Sequence, residues 1–227
     1  MANNYYDGTG VLVLDHVTPV INALFGAFLL DPDWPGNGRA YIARLSETND
    51  PTWSDVCNGL MDLAAQLDLP CPEDDDVSID VLLRLLAGHF GVGNENGPDL
   101  RADTLPSEDD ASLEALFMIA LCLDDGHGLR AIQFEGCWHS SKPQLFEFGG
   151  DGAYIIREVI HYGNSREPVE FGRDLREALV ARDLDRATAT LATMVRKTLA
   201  GISDDAARET LTLQLTALLH ETSSNPD

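Results

Sequence analysis

Glu135, Cys137 and His139 alternate along one stretch of the chain, and on a β-strand the three side chains would project in a single row. Thiolate chemistry needs a nearby base and an acid to orient it, so such a row is suited to nucleophilic hydrolysis. A catalytic triad is normally gathered from separate segments, however, and here one segment supplies all three members. Coincidence is the simpler reading, with a small hydrolase or ligand-binding enzyme as the competing one. Cys122, His127, Cys137 and His139 also fall within 18 residues, a set zinc would accept. Their spacing, C-x4-H-x9-C-x-H, matches no structural zinc pattern, and Cys122 lies in the middle of an apolar helical run. A buried thiol and histidines beside a hairpin account for them, and no metal is expected.

Two further stretches imitate ligand loops. Gly91-Val-Gly-Asn-Glu-Asn-Gly97 follows a helix rather than a strand and lacks the spacing of either phosphate-binding fingerprint, and no Gly-Lys-Ser/Thr occurs anywhere. Asp31-x-Asp33-x-x-Gly36 opens like a calcium loop, but proline takes the fifth position and Ile42 the twelfth, where a bidentate Glu is required. No cofactor is expected.

The elements that must position these residues follow from periodicity. Gly10 to Asp15 reads as a strand; Thr18-Pro19 supplies an N-cap and a proline at the first helical position of a buried helix over 19–30. Asp31 to Gly38 reads as a loop, 39–46 as a short helix, and a helix beginning at Asp50-Pro51 ends at Leu69-Pro70. Further helices are expected over 78–90 and from Ser107, as a capping-box start, through Leu123. Three short runs between His127 and Tyr162, separated by turn residues, predict an antiparallel meander, and helical spacing returns near 173–182, 184–200 and 203–220. The fold class is α+β, mainly helical, with a small antiparallel β-meander in residues 128–162. One compact domain is expected, with an acidic, mostly helical region over 1–126 and the meander followed by helices over 127–227.

Charge is the strongest signal. The chain has 38 Asp and Glu against 15 Lys and Arg, a net of −23 over 227 residues. A chain this acidic repels phosphate backbones and anionic membranes, so direct nucleic-acid or membrane binding is not expected, and basic partner surfaces are favoured. Residues 1–150 hold 25 acids and 6 bases, net −19; residues 151–227 hold 13 and 9, net −4. Adaptation to high salt would explain the excess of Asp over Glu, 25 to 13, but would spread acids over every segment. Mere solubility is the third account. Nineteen charges match about 32 Å of duplex axis, so imitation of nucleic acid is feasible only if they cluster. The acids assigned to such a partner-binding face are Asp31, Asp33, Glu73, Asp74, Asp75, Asp76, Glu108, Asp109, Asp110, Asp124 and Asp125, all in expected loops or helix ends.

Neither a secretory signal nor an apolar run of spanning length is visible, and a full-sized core makes two disulfides unnecessary for the four cysteines. A cytoplasmic protein with reduced thiols is expected. Tyr5-Tyr-Asp-Gly-Thr-Gly-Val-Leu-Val-Leu-Asp-His16, Asp124-Asp-Gly-His-Gly128, Phe134-Glu-Gly-Cys-Trp-His-Ser-Ser-Lys-Pro143 and Phe146-Glu-Phe-Gly-Gly-Asp-Gly152 resemble segments of uncharacterised acidic proteins carried on bacterial integrative elements and plasmids. The resemblance implies no activity and no site. It implies a mobile-element setting, in which inhibitors of host nucleases are common. The function expected is therefore that of a non-enzymatic acidic interaction protein that binds a basic partner surface, as a nucleic-acid mimic or as an inhibitor of a defence nuclease or toxin.

Overall fold

The computed structural model describes residues 3–70, 78–91, 110–142, 145 and 147–223. The chain packs as two units, 1–155 and 156–227. Six antiparallel strands, β1 (Asn4–Val13), β2 (Asp31–Pro35), β3 (Arg39–Leu45), β4 (Ala131–Ser140), β5 (Gly149–Ile156) and β6 (Ile160–Asn164), run in the order β2-β3-β1-β4-β5-β6. The α+β class holds. The sheet is not confined to 128–162, because the first 45 residues supply half of its strands and β1 lies between β3 and β4.

In the first unit the helices α1 (Pro19–Phe25), α2 (Trp53–Gln66), α3 (Ile79–His89) and α4 (Leu113–Cys122) bury their apolar faces. Thr18 caps α1 by accepting the Ile21 N–H at 3.4 Å, and Pro19 occupies the first turn, where no donor is needed. The α-helix ends at Phe25, a 3-10 turn continues it over Gly26–Phe28, and Leu29 at φ 51° stops the run just short of residue 30. The α2 helix starts two residues later than the Asp50-Pro51 signal indicates, at a capping box in which Thr52 accepts from the Asp55 N–H and Asp55 from the Thr52 N–H. The α4 helix is capped by Ser112 rather than Ser107, which lies outside the described residues.

The core lies between these helices and the inner face of the sheet: Leu12, Ile42 and Ile132 are inaccessible, as are Leu24, Phe25, Leu60, Leu116 and Phe117. Gly8 and Gly10 of β1 leave room for the Phe134 ring; a Cβ on Gly10 would sit 2.8 Å from its Cδ2 atom.

Over 39–46, expected as a short helix, the structure has the strand β3 (Arg39–Leu45) instead, because β3 is sandwiched between β2 and β1 and its pairing hydrogen bonds outweigh the propensity of its alanines. Residues 31–35, expected as loop, form the edge strand β2. Its two prolines donate no hydrogen bond, which only an edge tolerates.

The second unit holds β6, α5 (Glu167–Val180), α6 (Leu184–Ala200) and α7 (Asp205–Ser223). The helices α5 and α6 form a hairpin whose turn contains Arg182 at φ 59° and Asp183, which caps α6 by accepting the Arg186 N–H at 2.9 Å. Ala178 and Ala187 are the buried residues of those two helices.

Candidate interaction surface

Alternation along β4 sends Ile132 and Phe134 into the core and Glu135, Cys137 and His139 to the other face, so the row expected from sequence exists. Register sets what lies beside it: Tyr5 opposes His139, Asp7 opposes Cys137, and Thr9 opposes Glu135. Tyr5 and His139 stack with centroids 5.2 Å apart and planes 26° apart. Glu135 and Cys137 are exposed. Among the described residues neither the thiol nor the Glu135 carboxylate is hydrogen-bonded to His139. The arrangement is an open strand face carrying an aromatic pair, not an enclosed nucleophile and base.

The same face continues across β1 to β3. Val11 opposes both Gln133 and Tyr41, and Trp34 of β2 meets Tyr41 edge-on at 4.7 Å while remaining 57% exposed. Asp31 opposes Tyr41, and its carboxylate accepts the N–H groups of Asp33 and Trp34 at 2.9 and 3.2 Å, so it shapes the strand that presents the indole. Asp7 accepts the Ser46 N–H at 2.8 Å. Arg39, opposite Val13, stands at one end of this face.

On the inner side, Tyr6 donates to Asp151 at 2.9 Å and lies under the Arg44 guanidinium, 5.5 Å from the ring centroid. Burial first, then the Asp151 hydrogen bond and charge, push the Tyr6 phenol well above its ordinary range.

The other acids named from sequence are placed differently. Asp33 is exposed on β2. Asp110 is joined with Asp50 on Arg44, each at 2.7 Å, and the two carboxylates outweigh burial and hold that guanidinium above its usual value. Asp125 accepts the Val20 N–H at 3.1 Å at the start of α1. Asp124 is exposed and accepts the Gly126 N–H at 2.9 Å, closing the turn after α4. Glu73, Asp74, Asp75, Asp76, Glu108 and Asp109 lie outside the described residues, as does the glycine run after Gly91.

His127 is a structural residue. It is 2% exposed; its Nδ1 accepts the Leu129 N–H at 2.8 Å, so Nε2 carries the proton and donates to the Ala120 carbonyl at 3.0 Å. Both ring nitrogens are engaged, which leaves no lone pair for zinc. Among the described residues no group of three His, Cys, Asp or Glu side chains could hold a metal ion, and no helix is long and apolar enough to cross a membrane.

Sequence reasoning missed Tyr5, Asp7, Trp34 and Tyr41 as surface groups. The signal that would have found the first two is the period-two pattern Tyr5, Asp7, Thr9, Val11, Val13, which marks a half-exposed strand starting well before Gly10. Compared with known proteins, the chain matches no family model, and neither a curated protein nor a solved structure is significantly similar to it.

Proposed function

We propose that the chain is a non-enzymatic binding protein whose first unit engages a basic protein surface through the outward face of its sheet. The observation that carries this reading is the coincidence of charge with unit: residues 1–155 hold 26 acids and 6 bases, net −20, and residues 156–227 hold 12 and 9, net −3. On the outward face Asp7, Asp31 and Glu135 accompany the Tyr5/His139 and Trp34/Tyr41 pairs. Carboxylates steer a cationic partner, and aromatic rings accept its Arg and Lys side chains by cation–π contact. The specific form proposed is an inhibitor that occupies the nucleic-acid groove of a defence nuclease or a toxin, in the cytoplasm of a bacterium bearing a mobile element. Direct nucleic-acid and membrane binding are not part of it.

The test is affinity capture with the whole chain, followed by titration of the purified partner in rising salt. Affinity is expected to fall roughly tenfold or more between low and moderate salt. Glu135→Lys and Trp34→Ala should each weaken binding, the latter by about 1–2 kcal/mol. Salt-independent binding that ignores both substitutions sinks the proposal. A hydrolase using Glu135, Cys137 and His139 is the second reading, favoured by their shared open face; Cys137→Ala with unchanged phenotype and metabolite binding eliminates it.

A further inference from the structure

The α1 and α2 helices approach most closely where Gly59, without a side chain, admits the Ala23 backbone. Beside that contact lies a cleft of about 400 Å³, a volume in the range of small-molecule sites. On α2 it is bordered by Gly59, Asp62, Leu63 and Gln66, which share one helix face because they are spaced three and four apart. Asn22 and Ala23 of α1 face them across it.

Three polar side chains from two helices thus share one cleft, and the fold uses none of them. Asn22, Asp62 and Gln66 are exposed, and among the described residues none of the three side chains takes part in a hydrogen bond or ion pair. Other acids of this unit have structural work: Asp55 caps α2, Asp50 and Asp110 hold Arg44, and Asp125 accepts the Val20 N–H.

We propose that the cleft binds a small aliphatic diamine. Its walls select against other classes of ligand. No Lys, Arg or His borders it, so an anion finds no counter-charge, and no aromatic ring borders it, so a planar ligand finds nothing to stack on. Calcium takes six to eight oxygens, and the cleft offers one carboxylate and two carboxamides. An alkylammonium suits what is there: it donates to the Asp62 carboxylate, its methylenes lie against Val17, Pro19 and Leu63, and a second ammonium donates to the Asn22 and Gln66 carbonyl oxygens.

Length and charge narrow the class further. Asp62 and Gln66 stand four residues apart, about 6 Å along the helix axis, which matches the span of an extended four-carbon chain between two nitrogens. The field of a unit with net charge −20 favours a dication over a neutral molecule of the same size. The cleft belongs to the helical layer, on the opposite side of the sheet from its outward face, so a bound amine does not compete with a protein partner there.

Titration of the isotope-labelled full chain with 1,4-diaminobutane at constant ionic strength, followed by NMR, tests the assignment. The side-chain amides of Asn22 and Gln66 are expected to shift saturably, whereas magnesium at the same concentration, a dication without methylenes, should leave them unmoved. Asp62→Asn keeps the shape and removes the charge; it should weaken binding at least about tenfold with unchanged circular dichroism. Asp68→Asn, at an exposed acid outside the cleft, should change affinity by less than about twofold. No saturation by about 10 mM amine overturns the proposal. So do equal shifts with magnesium, undiminished binding to Asp62→Asn, or an equal loss in Asp68→Asn, since each would mean general counterion attraction by the acidic unit.

Discussion

Gly59 lies inside α2, where alanine ordinarily stabilises a helix by about 0.5–1 kcal/mol through a less flexible unfolded chain. Here the sign should reverse. A Cβ on Gly59 would collide with the Ala23 carbonyl oxygen and lie 3.0 and 3.1 Å from the carbonyl carbon and Cα of the same residue. These are backbone atoms of α1 and cannot rotate away as a side chain would. The new methyl must push α1 and α2 apart, and the residues it separates, including Ile21 and Leu24 on one helix and Leu60 and Leu63 on the other, are 2% exposed or less. Overpacking of a filled core costs about 1–3 kcal/mol, so Gly59→Ala should destabilise by about 1–2 kcal/mol after the propensity gain is subtracted. Gly88→Ala is the control: it lies near the exposed end of α3, and nothing stands within 4 Å of its would-be Cβ. That variant should gain a few tenths to about 1 kcal/mol. Urea unfolding at constant m-value measures both. If Gly59→Ala is as stable as Gly88→Ala, the close approach of the two helices is not as described and the reasoning fails.

Two further outcomes are expected. Because the folded pKa of Tyr6 is raised above its ordinary value of 10.0, the folded chain keeps a proton that the unfolded chain releases. Its stabilisation is complete below that pH and lost as pH rises toward the folded value. Tyr6→Phe should flatten the alkaline fall in stability, by less than about 1.4 kcal/mol per pH unit because the ring is only half-buried; an unchanged slope refutes the assignment. His127→Ala strips partners from the buried Ala120 carbonyl and Leu129 N–H and should cost about 2–4 kcal/mol in thermal or urea unfolding. A cost below about 1 kcal/mol would mean that water replaces both bonds.

Helices were largely legible because their signals are local. Thr18-Pro19 marks the start of α1, and the apolar spacing from Val56 to Leu63 marks the buried face of α2, since capping and amphipathic period depend on residues a few positions apart. The β2 and β3 strands were not legible. Asp31-Pro-Asp-Trp-Pro35 has loop composition and Arg39 to Leu45 has helical composition; both become strands only because β1 supplies a partner edge to β3 and β3 supplies one to β2. The β1 partner of β3 lies 26–38 residues away and leaves no mark in that segment, and the short hairpin that pairs β2 with β3 is hidden by the two prolines and the Gly-Asn-Gly turn.

The row of Glu135, Cys137 and His139 could be read from alternation, but its neighbours Tyr5 and Asp7 depend on the register of a strand more than a hundred residues away. Charge divides in the same manner. The amino-acid sequence alone determined that acids concentrate in the first two-thirds of the chain and leave the rest near balance, because net charge is additive and indifferent to folding. Only the tertiary structure decided which acids face solvent and which serve the fold. Asp110 is held by Arg44, Asp125 by the Val20 N–H and Asp124 by the Gly126 N–H, whereas Asp33 stands exposed on β2, because a carboxylate's partners are set by what folding brings within about 3 Å of it.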